Sequence, residues 1–258
     1  MKRHNILGTD FSLLSYTDVL TTVQGWKQSH EQHYITLTPP YSVLLCRRDA
    51  ELQRATDGAA LTLPDGVGII LAAKLLGYPH HGRVTGPALM LSLCDQGREH
   101  GMRHFFYGSA PGVAAALTKR LANTYPGLGV AGTFCPPFRE LSPSEDAEIV
   151  RQINEAEPDI VWVGLGSPKQ EKWMAQHVGK INGAALIGVG AAFDFHSGKV
   201  KWAPEWMRKA GIEWAFRFAH EPKRMWRRNV NSFVFLGGVL HQYLHGSNGK
   251  SGAVAHSE

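Results

Sequence analysis

Several short stretches of this chain set polar side chains beside glycine or proline, as happens where a strand gives way to a helix and a ligand is held. Pro64-Asp65-Gly66 places a carboxylate at one such turn. It could serve as a general base; from its position alone a helix N-cap is the favoured reading, because Asp is a preferred capping residue. Arg83, within Gly82-Arg83-Val84-Thr85-Gly86, is a fixed cation in a glycine-bounded loop. A guanidinium held that way can grip a phosphate or carboxylate through two parallel hydrogen bonds, although an isolated surface arginine fits the same loop.

Tyr107-Gly108-Ser109-Ala110-Pro111-Gly112 follows a strand and opens a helix, so Gly108 and Ser109 are candidates for holding a diphosphate on unpaired N–H groups. A plain glycine turn is the alternative. In Gly164-Leu165-Gly166-Ser167-Pro168-Lys169-Gln170-Glu171 a flexible turn leads into three long polar side chains. Lys169 and Gln170 are candidate ligand contacts; otherwise this is a solvated first helical turn with Lys169 and Glu171 exposed. Gly188-Val189-Gly190-Ala191-Ala192-Phe193-Asp194 has the outline of GxGxxG, but Phe193 stands in the sixth position and the motif comes late in the chain. Asp194 could accept hydrogen bonds from a ribose or a nucleobase, or pair with a nearby Lys or Arg.

Metal and hydrolase signals are missing. His80 and His81 are adjacent, so their side chains diverge, and there is no HExxH, no Asp-x-Asp after a strand and no GxSxG. Cys46, Cys94 and Cys135 are odd in number and widely spaced, which fits reduced thiols and a cytoplasmic setting better than a disulfide framework.

Residues such as these need a scaffold that delivers them to one place. Short apolar runs alternate with helical periodicity along the chain. Strands are expected at 33–38, 61–63, 103–107, 129–134, 160–164 and 185–189. Helices are expected at 17–27, 41–55, 66–75, 87–100, 112–122, 143–156 and 169–177. This alternation predicts an α/β fold, a Rossmann-like parallel sheet flanked by helices, over residues 1–196. From 197 to 245 the sequence turns Trp- and Arg-rich, with helices expected at 203–220 and 222–244, and 246–258 reads as a disordered tail. Between Lys199 and Arg228 there are nine Lys/Arg against three Asp/Glu, so the whole positive excess of a chain with net charge +5 sits there. No leader pattern opens the chain, and the apolar run 233–240 is far shorter than the roughly 20 residues that span a bilayer.

Taken together, Pro64-Asp65-Gly66, Arg83-Val84-Thr85-Gly86, Pro168-Lys169-Gln170-Glu171, Gly188-Val189-Gly190 with Phe193-Asp194, Ala203-Pro204-x-Trp206-Met207 and Glu213-Trp214 with Glu221-Pro222-x-Arg224 resemble, in order and spacing, the WecG/TagA/CpsF family over residues 5–230. The resemblance implies a metal-independent, inverting glycosyltransferase without cofactor, moving a sugar from a UDP-sugar to an undecaprenyl diphosphate-linked saccharide. It implies Asp65 as general base and Arg83 beside the diphosphate. Thr38 and Gln170 would hold the donor, and Asp194 would face its nucleoside. Arg217, Arg224 and Arg228 would reach the site from the C-terminal segment.

Two stretches depart from the family pattern: Thr38-Pro39-Pro40 stands for Thr-x-Asn, and Cys135-Pro136-Pro137-Phe138 for His-Gly-Tyr-Phe. Both belong to donor-side loops, Pro137 included. Their loss of polar groups favours a plain hexose such as glucose, in exopolysaccharide assembly. The alternative is N-acetylmannosamine or its uronate, for teichoic acid linkage or enterobacterial common antigen glycans. The basic, Trp-rich segment implies an anionic membrane surface as partner, hence a peripheral enzyme on the inner face of the plasma membrane. Self-association is left open. An oxidoreductase would need GxGxxG at the first βα turn, which is missing. A nucleic-acid-binding module would leave Asp65, Arg83 and Gln170 without a shared purpose, and no nucleic acid partner is expected.

Overall fold

The computed structural model describes residues 2–183 and 185–248, apart from the side chains of 223–225, 227–230 and 246–248. A short antiparallel hairpin, β1 (His4–Ile6) and β2 (Thr9–Phe11), precedes helix α1 (Tyr16–Ser29). There follow β3 (His33–Thr38), α2 (Pro40–Cys46), α3 (Ala50–Asp57), β4 (Leu61–Pro64), α4 (Val67–Leu75) and α5 (Gly86–Gln96), which ends in a 3-10 turn. The second half runs β5 (Arg103–Gly108), α6 (Val113–Thr124), β6 (Gly129–Phe134), α7 (Pro143–Glu155), β7 (Ile160–Gly164), α8 (Lys169–His177), β8 (Ala185–Gly188) and α9 (Ala192–Ser197). Three helices complete the described chain: α10 (Glu205–Lys209), α11 (Glu213–His220) and α12 (Pro222–Asn248).

Six strands form one parallel sheet in the order β4-β3-β8-β7-β5-β6, the Rossmann-like α/β architecture that the alternation predicts. Its central strands are buried on both faces, which is why they appear in sequence as near-continuous apolar runs. Phe106, Trp162 and Ile187 pack with α1, α5, α6 and α9 on one side. Phe105, Val161 and Leu186 pack with α7 and α8 on the other. Local signals start the helices: Ser15 with Asp18, and Ser142 with Glu145, form reciprocal capping boxes.

The helix expected at 41–55 is two helices. The Asp49 carboxylate accepts from the N–H groups of Glu51 and Leu52, and that N-cap starts a new helix instead of continuing the old one. The stretch expected at 203–220 is likewise broken between α10 and α11. The β1–β2 hairpin has no counterpart among the expected elements, because three-residue strands are too short to display alternation. Residues 246–248, expected in a tail, are the last of α12, and 249–258 lie outside the described residues.

Helix α12 does not hang loose. Phe235 and Val239 are fully buried against Ile6, Phe11, Val43 and Ile69. Gln242 accepts from the Leu7 N–H at 2.9 Å and donates to the Asn5 carbonyl at 3.1 Å. Gly238 lets the helix approach Leu7 so closely that a Cβ there would stand 3.1 Å from a Leu7 methyl.

His104, on β5, is fully buried and accepts from the Trp162 indole N–H at 3.1 Å, so its neutral tautomer carries the proton on Nε2. Burial holds its pKa down to about 4, against 6.5 for a free histidine. A group depressed in this way contributes stability fully above its unfolded pKa and loses it as pH falls. Between pH 6.5 and 4 the folded state is therefore expected to lose about 3 kcal/mol. Urea midpoints measured across that window test this, and His104→Gln should flatten the slope. Glu145 and Glu148, each held at about 2 first by its arginine partner, act in a separate window below 4.5.

Candidate active site

Ligands of open parallel sheets bind beyond the carboxyl ends of the strands. The ends of β3, β4, β7 and β8 open onto a cavity of about 480 Å³, within the size range of small-molecule sites. Asp65, Arg83, Gln170 and Arg217, separated by up to 152 positions in sequence, all line it.

Asp65 leaves the tip of β4, its N–H bonded to the Thr38 carbonyl at 3.3 Å. Gly66, not Asp65, is the N-cap of α4, and that helix receives no side-chain cap. Its carboxylate is therefore not spent on capping.

Arg83 lies in the loop between α4 and α5 and donates from Nη2 to the Arg208 carbonyl, hooking α10 to the cavity rim. Arg217, from α11, lies 5.4 Å from the centre of the Phe195 ring. Its Nε is buried with no hydrogen-bond partner among the described residues. Arg208 is held differently, stacked on the Trp202 ring at 3.6 Å.

Among the described residues, the remaining expected contacts are not on the cavity lining. Thr38 is buried inside the β3–β4 pairing, opposite Pro64 and 3.5 Å from the Thr36 hydroxyl. Lys169 is exposed. Gly108 is pressed against Gly164 of the adjacent strand, where a Cβ would meet backbone at 2.7 Å. Ser109 donates to Asp194 at 3.4 Å, and Lys199 lies 3.4 Å from the same carboxylate oxygen, which is the pairing with a nearby Lys weighed for Asp194. Cys135 donates to the Ser109 carbonyl at 3.1 Å, with exposed Pro137 two residues on. These groups form a second cluster along the same strand-end edge. The side chains of Arg224 and Arg228 lie outside the described residues.

Residue-by-residue inspection misses other lining groups, among them Ser42, Ser167, Glu213 and Phe233. Glu213 and Trp214 belong to the motif series above, which gave them no part. Glu171, which the solvated-turn alternative placed at the surface, is 4% exposed. Among the described residues no group of three or more His, Cys, Asp or Glu converges, and no helix is long and apolar enough to cross a membrane.

The chain is 29% identical over 231 residues to an N-acetylglucosaminyldiphosphoundecaprenol N-acetyl-beta-D-mannosaminyltransferase of Bacillus spizizenii, covering 90% of this chain and 87% of that protein. A Bacillus subtilis protein of the same description is 28% identical over 93% of this chain and 90% of its own length. One from Staphylococcus aureus is 27% identical over 90% of each. These names favour the N-acetylmannosamine alternative over the plain hexose. A family model described as "Glycosyl transferase WecG/TagA/CpsF family" matches residues 4–249. A match of that length, over a chain that gathers Asp65, Arg83 and Gln170 around one cavity, means that this protein belongs to the WecG/TagA/CpsF family of glycosyl transferases.

Proposed function

We propose that this chain transfers an N-acetylmannosaminyl residue from its UDP-sugar to a polyprenyl diphosphate-linked saccharide, with inversion and without a metal. The observation that carries this is the meeting of Asp65 and Arg83 on one cavity at the strand ends. Asp65 takes the proton from the acceptor hydroxyl while that oxygen bonds to the anomeric carbon and the carbon's bond to the UDP oxygen breaks. Arg83 and Arg217 offset the charge gathering on the departing diphosphate, a task that needs fixed cations in a water-poor site. The relatives' names support the donor and the acceptor alike.

A plain hexose donor is the second reading, favoured by Pro39 and Pro40, which line the cavity. A panel of UDP-sugars with a short-chain polyprenyl diphosphate acceptor, in EDTA, decides between them. UDP release is expected with UDP-N-acetylmannosamine. Release with UDP-glucose alone would reverse the donor assignment, and dependence on added divalent metal would remove the metal-free mechanism.

The acceptor's lipid also gives the C-terminal segment a purpose. Trp206, Trp226, Leu240 and Leu244 are each about half exposed or more, and the segment is basic, a combination suited to the interface of an anionic bilayer on the cytoplasmic side. Replacing all four by serine is expected to abolish binding to vesicles rich in anionic lipid while turnover of a water-soluble acceptor persists. Undiminished vesicle binding would sink the membrane role.

A further inference from the structure

Gln170 and Glu171 are consecutive in the first turn of α8, and both are 4% exposed. An acid in a helix's first turn ordinarily faces water, where the helix dipole favours it without loss of hydration. Glu171 is instead buried and off the cavity lining, while Gln170 lines the cavity. A hydrogen bond reaches the Glu171 carboxyl, from the Gln170 amide nitrogen to Oε1 at 3.1 Å. Burial pushes the Glu171 pKa up, and hydrogen bonding pulls against it.

The amide is confined on its other side by the end of β8. A Cβ at Gly188 would stand 3.0 Å from Gln170 Nε2, and one at Gly190 3.5 Å from Oε1. The glycines that imitate a dinucleotide fingerprint thus make room for a carboxamide. Gln170 Oε1 and Glu171 Oε2 are buried with no hydrogen-bond partner among the described residues, a costly state unless a ligand completes it.

We propose that Glu171 is a positioning residue, fixing the Gln170 carboxamide with its nitrogen inward and its oxygen toward the ligand. The two ends of a carboxamide are nearly the same shape, so only hydrogen bonding sets which way it faces. Glu171 Oε1 accepts from the amide at 3.1 Å, and so it claims the nitrogen. The cavity then presents an acceptor beside Gly190, and selects a ligand group that donates, such as a sugar hydroxyl or an acetamido N–H. The ligand's identity rests on the function proposed above; the orientation of the amide does not.

Glu171→Gln keeps the size but can donate as well as accept, so the amide loses its fixed sense. In the ligand-free full chain, the Gln170 side-chain NH2 resonance, identified by its loss in Gln170→Ala, is expected to shift and to exchange faster with water. With substrates, KM for the sugar nucleotide is expected to rise about tenfold while kcat changes little. In a Gln170→Ala background the same substitution should add nothing, and Glu171→Asp, still an acceptor, should restore part of the effect. An amide signal indifferent to Glu171→Gln, or a KM rise of equal size in both backgrounds, overturns the proposal, as does a fall in kcat that tracks a fall in melting temperature. If Glu171→Gln fails to fold, Glu171→Asp is judged by the same two measurements. A resonance that shifts in a protein that turns over no UDP-sugar leaves the positioning standing and removes the proposed donor.

Discussion

Asp65→Asn is expected to lower kcat by about 100- to 10,000-fold, with little change in KM or in the melting temperature. Asn keeps the shape at the tip of β4 and the backbone bond to the Thr38 carbonyl, but it cannot take a proton. Gly66, not the Asp65 side chain, caps α4, so the change leaves that cap intact. A deficit confined to KM would recast Asp65 as a binding group, and unaltered turnover would remove it from the chemistry. UDP release under saturating donor and acceptor separates these outcomes.

Arg83→Ala is expected to cost about 100- to 1,000-fold in kcat/KM, the size of effect seen when one fixed donor to a developing charge is removed. Arg83 does two things at once: it lines the cavity and it hooks α10 through the Arg208 carbonyl. Arg83→Lys separates them, since an ammonium keeps the charge but loses the planar fork that can bond a carbonyl and a phosphate together. Recovery of less than a tenth of the activity is expected. Full rescue by lysine would mean that charge alone matters, and the hook to α10 would be incidental.

The sheet was readable from sequence for a specific reason. Strands such as 160–164 are buried on both faces and so carry unbroken apolar runs, while a helix such as α7 starts at a Ser142-Pro143-Ser144-Glu145 cap. The β1–β2 hairpin was not readable, because its three-residue strands are too short to display alternation, and Ile6 and Phe11 find their apolar partners Phe235 and Val239 only at the far end of the chain. The site shows the same division. Asp65, Arg83 and Gln170 stand out as polar groups at strand ends, yet only the family resemblance joined them before the fold did. Thr38, Lys169 and Asp194 were drawn to the cavity by their positions in motifs, whereas pleat and helix phase turn Thr38 inward and Lys169 outward. The burial of Glu171 could not be anticipated, since nothing local distinguishes it from an acid that favours the helix dipole in water.

The grip between α12 and the hairpin has a practical consequence for anyone wishing to trim this enzyme. Phe235 and Val239 are the lid over Ile6, Phe11, Val43 and Ile69, so cutting the chain near residue 197 would strip a nonpolar patch bare and spoil solubility. Loss of activity after such a cut would say little about lipids. The first and last strongly packed segments are clasped together like the ends of a buckled strap, and single-residue changes on the outer surface are the cleaner way to question what the strap touches.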